Sequence, residues 1–207
     1  MAKLTSSNKN AHKHRTLTVC IDFETTGLST AKEHITQIGA IAIGEEEGFA
    51  TYVYTDRRIP AKVTEVTGIT SETIQGAPIF PEAWKLFCAW LKSNANGREV
   101  NLVAHNGFRF DYPILVHEME RHRMDPKACL SSFMFSDSLP ACRSVFSHMN
   151  SRSLGAIYME IVGQELPNAH DALADCAGLA KVNFIRISLL AESPQPGIIL
   201  TNAISET

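Results

Sequence analysis

Asp22 and Glu24 stand one residue apart in Val19-Cys20-Ile21-Asp22-Phe23-Glu24, where apolar, β-branched residues read as a buried strand. Side chains on a strand alternate between its faces, so both carboxylates point the same way. Negative charges that close repel unless something neutralises them, and hard divalent cations held by carboxylate oxygens do so. The pair suggests Mg²⁺ or Mn²⁺. By itself an Asp-x-Glu also fits a strand end followed by a polar turn. A second block, Leu102-Val103-Ala104-His105-Asn106-Gly107-Phe108-Arg109-Phe110-Asp111, runs from an apolar strand through a glycine turn to a helix start. Asp111 falls where that helix begins, a place Asp also takes as an N-cap. The third block, Asn168-Ala169-His170-Asp171-Ala172-Leu173-Ala174-Asp175-Cys176, opens a long helix in which Asp171 suits the cap. Asp175 lies one turn inside it, and His170, just outside, is free to point into a cleft.

In order and in local spacing these blocks resemble the DEDDh group of DnaQ-like 3′-to-5′ exonucleases. Leu102-Val103-Ala104-His105-Asn106-Gly107, Arg109-Phe110-Asp111-Tyr112-Pro113 and Ser153-Leu154-Gly155-Ala156-Ile157-Tyr158 narrow the likeness to the three-prime repair exonuclease branch, over roughly residues 17–187. The exonuclease-like domain of promyelocytic leukaemia-type proteins resembles the same branch, and the motifs do not separate the two. The resemblance implies a phosphodiester hydrolase with two Mg²⁺ ions, replaceable by Mn²⁺, acting on DNA with a free 3′ end, single-stranded or frayed. It implies metal ligands at Asp22, Glu24, Asp111 and Asp175, and His170 as the general base, a task suited to a pKa near neutrality. It places the 3′-terminal nucleotide against Thr25, Leu28, Val66, Asn106 and Phe110, an apolar and aromatic grip that tolerates any base. Phe108 and Phe110 replace more polar family choices beside Asp111, so that grip is expected to differ here. An exoribonuclease or proofreading exonuclease is the enzymatic alternative, and a non-cleaving domain that binds nucleic-acid ends or a protein is the other.

A chain of 207 residues with 44% hydrophobic content can bury one sizeable core. A net charge of −3 argues against an indiscriminate nucleic-acid binder, which leaves a basic footprint. Two dications at the acidic cluster would change that local balance and make the site receptive to phosphate. Arg109, Arg143 and Arg152 are candidate backbone contacts, each better read as a solvated surface arginine. Five cysteines without a Cys-x-x-Cys pair favour reduced thiols in an intracellular protein, cytoplasmic or nuclear. No apolar run approaches the roughly 18 residues a membrane helix needs. Neither a Gly-x-x-x-x-Gly-Lys nor a Gly-x-Gly-x-x-Gly motif supports triphosphate hydrolysis or hydride transfer.

The elements that must position these residues read as strands near 17–23, 34–43, 49–54, 100–104 and 132–137. Helices read near 81–92, 113–123, 153–161 and 171–191, with Trp84, Phe87 and Leu91 on the packed side of the first and Leu173, Leu179 and Val182 on that of the last. Short connections pair the first three strands antiparallel, and the later strands, alternating with helices, join in parallel. That order is α/β, an RNase-H-like mixed sheet of about five strands flanked by helices. Asp137 reads as a strand-ending acid that caps the next turn. Residues 1–15 read as a disordered leader with Lys9, Lys13 and Arg15 solvated, 16–191 as the exonuclease domain, and 192–207 as a tail. By resemblance the strand at 49–54 is a candidate homodimer edge.

Overall fold

The computed structural model describes residues 16–45 and 47–190, so the proposed leader and tail lie outside the described residues. β1 (Thr16–Thr25), β2 (Ile35–Ala42) and β3 (Phe49–Tyr52) pair antiparallel in succession. On the other side of β1, β4 (Glu99–Ala104) and then β5 (Phe133–Asp137) add in parallel, giving the order β3-β2-β1-β4-β5. The carboxyl ends of β1 and β4 therefore lie side by side, the edge where open α/β sheets carry their ligands. Around the sheet are α1 (Ala61–Thr67), α2 (Phe80–Ala95), α3 (Asp111–Arg121), α4 (Pro126–Leu130), α5 (Leu139–Val145), α6 (Leu154–Val162) and α7 (Ala172–Leu190).

The two faces of β1 have different partners. Leu17, Val19, Ile21 and Phe23 enter the main core with Phe80, Trp84, Phe87 and Leu91 of α2 and Ile114 and Leu115 of α3. Each such side chain contributes about 1.5–3 kcal/mol by leaving water. Cys20 points the other way, into a smaller cluster with Cys176 and Leu179 of α7. Alternation then sends Asp22 and Glu24 to the α7 face, so the apolar residues of β1 decide where its acids go.

Gly39 of β2 lets α7 come close. It is the cross-strand partner of Asp22, and a Cβ there would lie 2.3 Å from the Ala172 carbonyl carbon. The first turn of α7 thus rests on bare backbone beside the acidic pair. Leu179 and Val182 are buried as expected. Leu173 is not in the core; it is half-buried over Gly48, where an added Cβ would meet its Cδ1 at 2.5 Å.

Three helices go beyond the expected elements. α1, α4 and α5 have 7, 5 and 7 residues, too short for a helical period to emerge from the pattern. α4 does carry a start signal: Pro126 sits in its first turn, and the Asp125 side chain accepts the Lys127 N–H at 3.0 Å. β3 ends at Tyr52, and Tyr54 instead bridges Ile79.

Candidate active site

Three elements deliver the four acids to one place. Asp22 and Glu24 come from the end of β1, Asp111 opens α3, and Asp175 sits in the first turn of α7. Among the described residues, Glu24, His170 and Asp175 each bring one ligand atom within 4.8 Å of the others. Asp22 feels Asp111, Asp175, Glu24 and Asp171, so the four proposed acidic ligands share one electrostatic neighbourhood, and His170 acts on Asp175. Asp111 is 3% exposed and is the first residue of α3, whose N-cap position falls on Phe110 instead.

The turn between β4 and α3 is organised by Asp137. Its Oδ1 accepts the N–H groups of Asn106 at 2.8 Å and Leu139 at 2.9 Å, and its Oδ2 accepts that of Phe108 at 3.2 Å. Asp137 therefore caps the next turn, as expected, and also holds the loop that aims Asp111. Asn106 adopts the left-handed conformation at φ 64°, a strain these bonds sustain. His105 faces the Ser138 hydroxyl through Nδ1 and the Arg152 carbonyl through Nε2, both at 2.8 Å. A carbonyl only accepts, so Nε2 carries the proton, and burial holds the ring below its ordinary pKa. Asp137→Ala leaves three amides without their acceptor and is expected to lower unfolding free energy by about 2–4 kcal/mol. Denaturant unfolding measures this, and a loss below about 1 kcal/mol would contradict the assigned role.

At the start of α7, the Asp171 Oδ1 accepts the Ala174 N–H at 3.0 Å, the cap its position suggested. Just ahead of it, His170 is exposed and left-handed, at φ 70°. Its N–H donates to the Asp175 Oδ2 at 3.2 Å, tying the imidazole-bearing residue to the acid one turn further on.

Desolvation and mutual repulsion crowd these acids. Asp22 is raised well above the ordinary carboxyl range, first by burial and then by Asp111, Asp175, Glu24 and Asp171. Glu24 is pushed up to about 8 by burial and by Asp175, Asp171 and Asp111. Burial also raises Asp111 and Asp175, the latter opposed by hydrogen bonding and charge from His170. The charged neighbours that move Asp22 and Glu24 are all acidic. Clustered carboxylate oxygens beside one imidazole are a donor set that fits hard divalent ions.

The raised values have a thermodynamic consequence. These acids bind protons more tightly folded than unfolded, so folding without metal takes up protons and rising pH opposes it. The stabilisation from Glu24 is complete below its ordinary 4.5 and is lost through about 8. His34, held near 4 by burial, pulls the opposite way below its ordinary 6.5. From about 6.5 to about 8 the protein in EDTA should therefore melt at falling temperature, and Mn²⁺ should raise the melting temperature most at the upper end. A flat or rising metal-free profile across that window would count against the acidic cluster.

The residues proposed for the terminal nucleotide differ in their burial. Leu28 is 88% exposed and Val66 43% exposed, so neither is the core residue an apolar side chain would ordinarily be. Phe110, the residue before Asp111, is half-buried. Thr25 is buried, its hydroxyl turned to the Gly27 carbonyl at 2.7 Å. Residues 26–34, which carry Leu28, are braced by Glu33, whose carboxylate takes a two-point pair from Arg57 at 2.7 and 2.9 Å and the Thr26 hydroxyl at 2.7 Å. Asn106 also lines a cavity of about 620 Å³ with His105, Arg143, Asn150 and Arg152, and the carboxylates lie outside it. Arg109 and Arg143 are exposed, but Arg152 is not simply solvated: it donates to the carbonyls of Phe146 and Ser147 at 3.2 and 2.6 Å.

A mixed five-stranded sheet with acids gathered at the carboxyl end of β1 is an RNase-H-like fold of the kind that exonucleases have. The chain belongs to the exonuclease family: the model of the RNase T-type exonuclease matches residues 19–183. The chain is 28% identical over 190 residues to three prime repair exonuclease 2 of Mus musculus, covering 76% of this chain and 78% of that one. The chain spans 7% to 55% of the length of other curated relatives, among them bacterial DNA polymerase III proteins and a chloroplast and mitochondrial exonuclease of Arabidopsis thaliana. In fold it is similar to E. coli exonuclease I in complex with a dT13 oligonucleotide, with TM-score 0.69 and 20% identity over 86% of this chain and 42% of that one. It is also similar to the nuclease domain of 3′hExo, a DEDDh family member bound to rAMP, with TM-score 0.67 and 18% identity over 86% and 92%.

Sequence reasoning missed the residues that hold these groups in place. Gln37 and Gly39 stood out only as a polar residue and a glycine inside an otherwise apolar strand, a pattern that signals close backbone approach. Glu33 and Arg57 carry no local signal, because 24 positions separate them.

Proposed function

We propose that the chain is a divalent-metal-dependent 3′-to-5′ exonuclease that removes nucleoside 5′-monophosphates from DNA, with residues 16–191 as its catalytic domain. The observation that carries this reading is the convergence of Asp22, Glu24, Asp111, Asp175 and His170 on one edge of the sheet. In it, Asp22 would touch both of two ions, Glu24 and Asp175 would complete one site, and Asp111 would support the other. When bound, such ions activate the attacking water and stabilise the departing oxygen of the phosphodiester. His170 takes a proton from the water whose oxygen bonds to phosphorus as the P–O3′ bond breaks, and the departing O3′ takes a proton from solvent, leaving a free 3′-hydroxyl on the shortened strand. Its exposed place ahead of α7 gives the ring access to solvent and to the cluster.

Leu28 wedges against the last base, Val66 and Phe110 pack near it, and the backbone at Glu24 and Thr25 meets the 3′-hydroxyl. The cavity beside Asn106, with two arginines, a histidine and no acid in its lining, suits the phosphates behind the scissile bond. A dT13 oligonucleotide in one structural neighbour favours DNA, and rAMP in another keeps RNA as the second reading. Tyr52 at the end of β3 and Tyr54 just beyond it are 39% and 42% exposed, in keeping with a homodimer built along the β3 edge; a monomer mass by light scattering at micromolar concentration would reject it.

The test compares free-ended and 3′-blocked DNA and RNA oligonucleotides, each with Mg²⁺ and with EDTA. The expected result is a ladder shortening from free 3′ ends of DNA, only with Mg²⁺. Internal cleavage, or binding without cleavage, would refute the proposal.

A further inference from the structure

We propose that Gln37 is a positioning residue whose side-chain amide clamps the start of α7 so that Asp175 and His170 face the β1 acids. The inference rests on the exonuclease reading above. Gln37 is 5% exposed and is the cross-strand partner of Glu24. Its Nε2 donates to the Asp171 Oδ2 at 2.8 Å, and its Oε1 accepts the Ala172 N–H at 3.1 Å. The Asp171 Oδ1 meanwhile accepts the Ala174 N–H. One amide thus holds both the capping residue and the first helical residue of α7.

The chemistry of the partners permits one orientation of that amide. A backbone N–H can only donate, so Oε1 must face Ala172; a carboxylate oxygen accepts, so Nε2 must face Asp171. Glutamate, of nearly the same shape, can accept from Ala172 but sets a second carboxylate against Asp171. Two residues along β2, Gly39 is the other half of the seat, since any Cβ there would strike the Ala172 carbonyl. Together they fix both the distance and the rotation of the turn that carries His170 and Asp175. Asp171 itself is held as a cap, its two oxygens occupied by Gln37 and Ala174. That leaves Asp175 as the α7 acid whose ligand atom gathers with those of Glu24 and His170.

The test uses Gln37→Glu, Gln37→Met and the double variant Gln37→Glu with Asp171→Asn, in which the new side-chain amide at 171 can donate to the new carboxylate at 37 and still cap Ala174. Turnover of a DNA oligonucleotide, Mn²⁺ binding by calorimetry without substrate, and amide exchange of Ala172 and Ala174 are measured on each. Gln37→Glu is expected to lower kcat and Mn²⁺ affinity by about ten- to a hundredfold with KM little changed. The double variant should recover most of both. Gln37→Met, which removes both bonds without adding charge, should speed exchange at Ala172 and lower Mn²⁺ affinity, and it stands in if Gln37→Glu does not fold. Wild-type Mn²⁺ affinity in a folded Gln37→Glu or Gln37→Met, even with a lowered melting temperature, would overturn the proposal, as would a double variant no better than the single. A wild-type protein that binds Mn²⁺ through this clamp but cuts nothing would instead refute the exonuclease reading.

Discussion

Asp22→Ala and Asp175→Ala are each expected to abolish detectable cleavage while the protein stays folded. Both remove an oxygen donor from the shared acidic neighbourhood, and lost stabilisation of several kcal/mol in the transition state means about a thousandfold or more in rate. The fold should survive because the acids do not hold it: apolar residues 17, 19, 21 and 23 anchor β1 to α2 and α3. Removing one of several mutually repelling carboxylates also relieves the repulsion that raises the others. At pH 8 without metal, Asp22→Ala should therefore melt no lower than wild type by calorimetry. Turnover near wild type in either variant would remove that residue from the reaction.

His170→Ala is expected to lower kcat by about 10²- to 10⁴-fold, the usual contribution of a positioned base, with a smaller effect on DNA affinity. The ring is exposed and makes no contact that the core depends on, so its loss should cost little stability. Single-turnover kinetics together with a binding titration in Ca²⁺ separate the two effects. Equal losses in rate and binding would mean that His170 grips substrate or shapes the loop. The backbone N–H of residue 170 still donates to Asp175 in this variant, so any effect belongs to the imidazole.

Much of the site was legible because its chemistry is written in residue types at short range. Period-two alternation in β1 put Asp22 and Glu24 on one face, and the Asp171-to-Asp175 spacing put the second acid one turn into a helix. The sheet order followed from the succession of hairpins and then strand–helix alternation, and the apolar period of α2 named Trp84, Phe87 and Leu91. What escaped was set by tertiary approach. Gln37 and Asp171 lie 134 positions apart, and nothing local says that a strand amide will meet a helix cap. Gly39 acquires meaning only when α7 lands on it. Asp137 announced one capping bond and makes three, two of them to the loop before Asp111. Leu173 followed the helical period, yet the β2–β3 turn rather than the core receives it.

The cysteines illustrate the same division between chemistry and packing. Cys20 and Cys176 stand beside the acids in sequence and in space, yet they fill the apolar contact between β1 and α7. Burial pushes the Cys20 thiol up to about 12, and Cys176 is raised as well, so neither offers a thiolate to a metal or a substrate near neutral pH.

Anomalous diffraction from crystals grown with Mn²⁺ and a nucleoside 5′-monophosphate tests the central claim most directly. The account predicts two manganese peaks about 3.5–4 Å apart, with Asp22 touching both, Glu24 and Asp175 at one, and Asp111 near the other. No peak at this edge of the sheet, or manganese bound only among acids elsewhere on the surface, would contradict it.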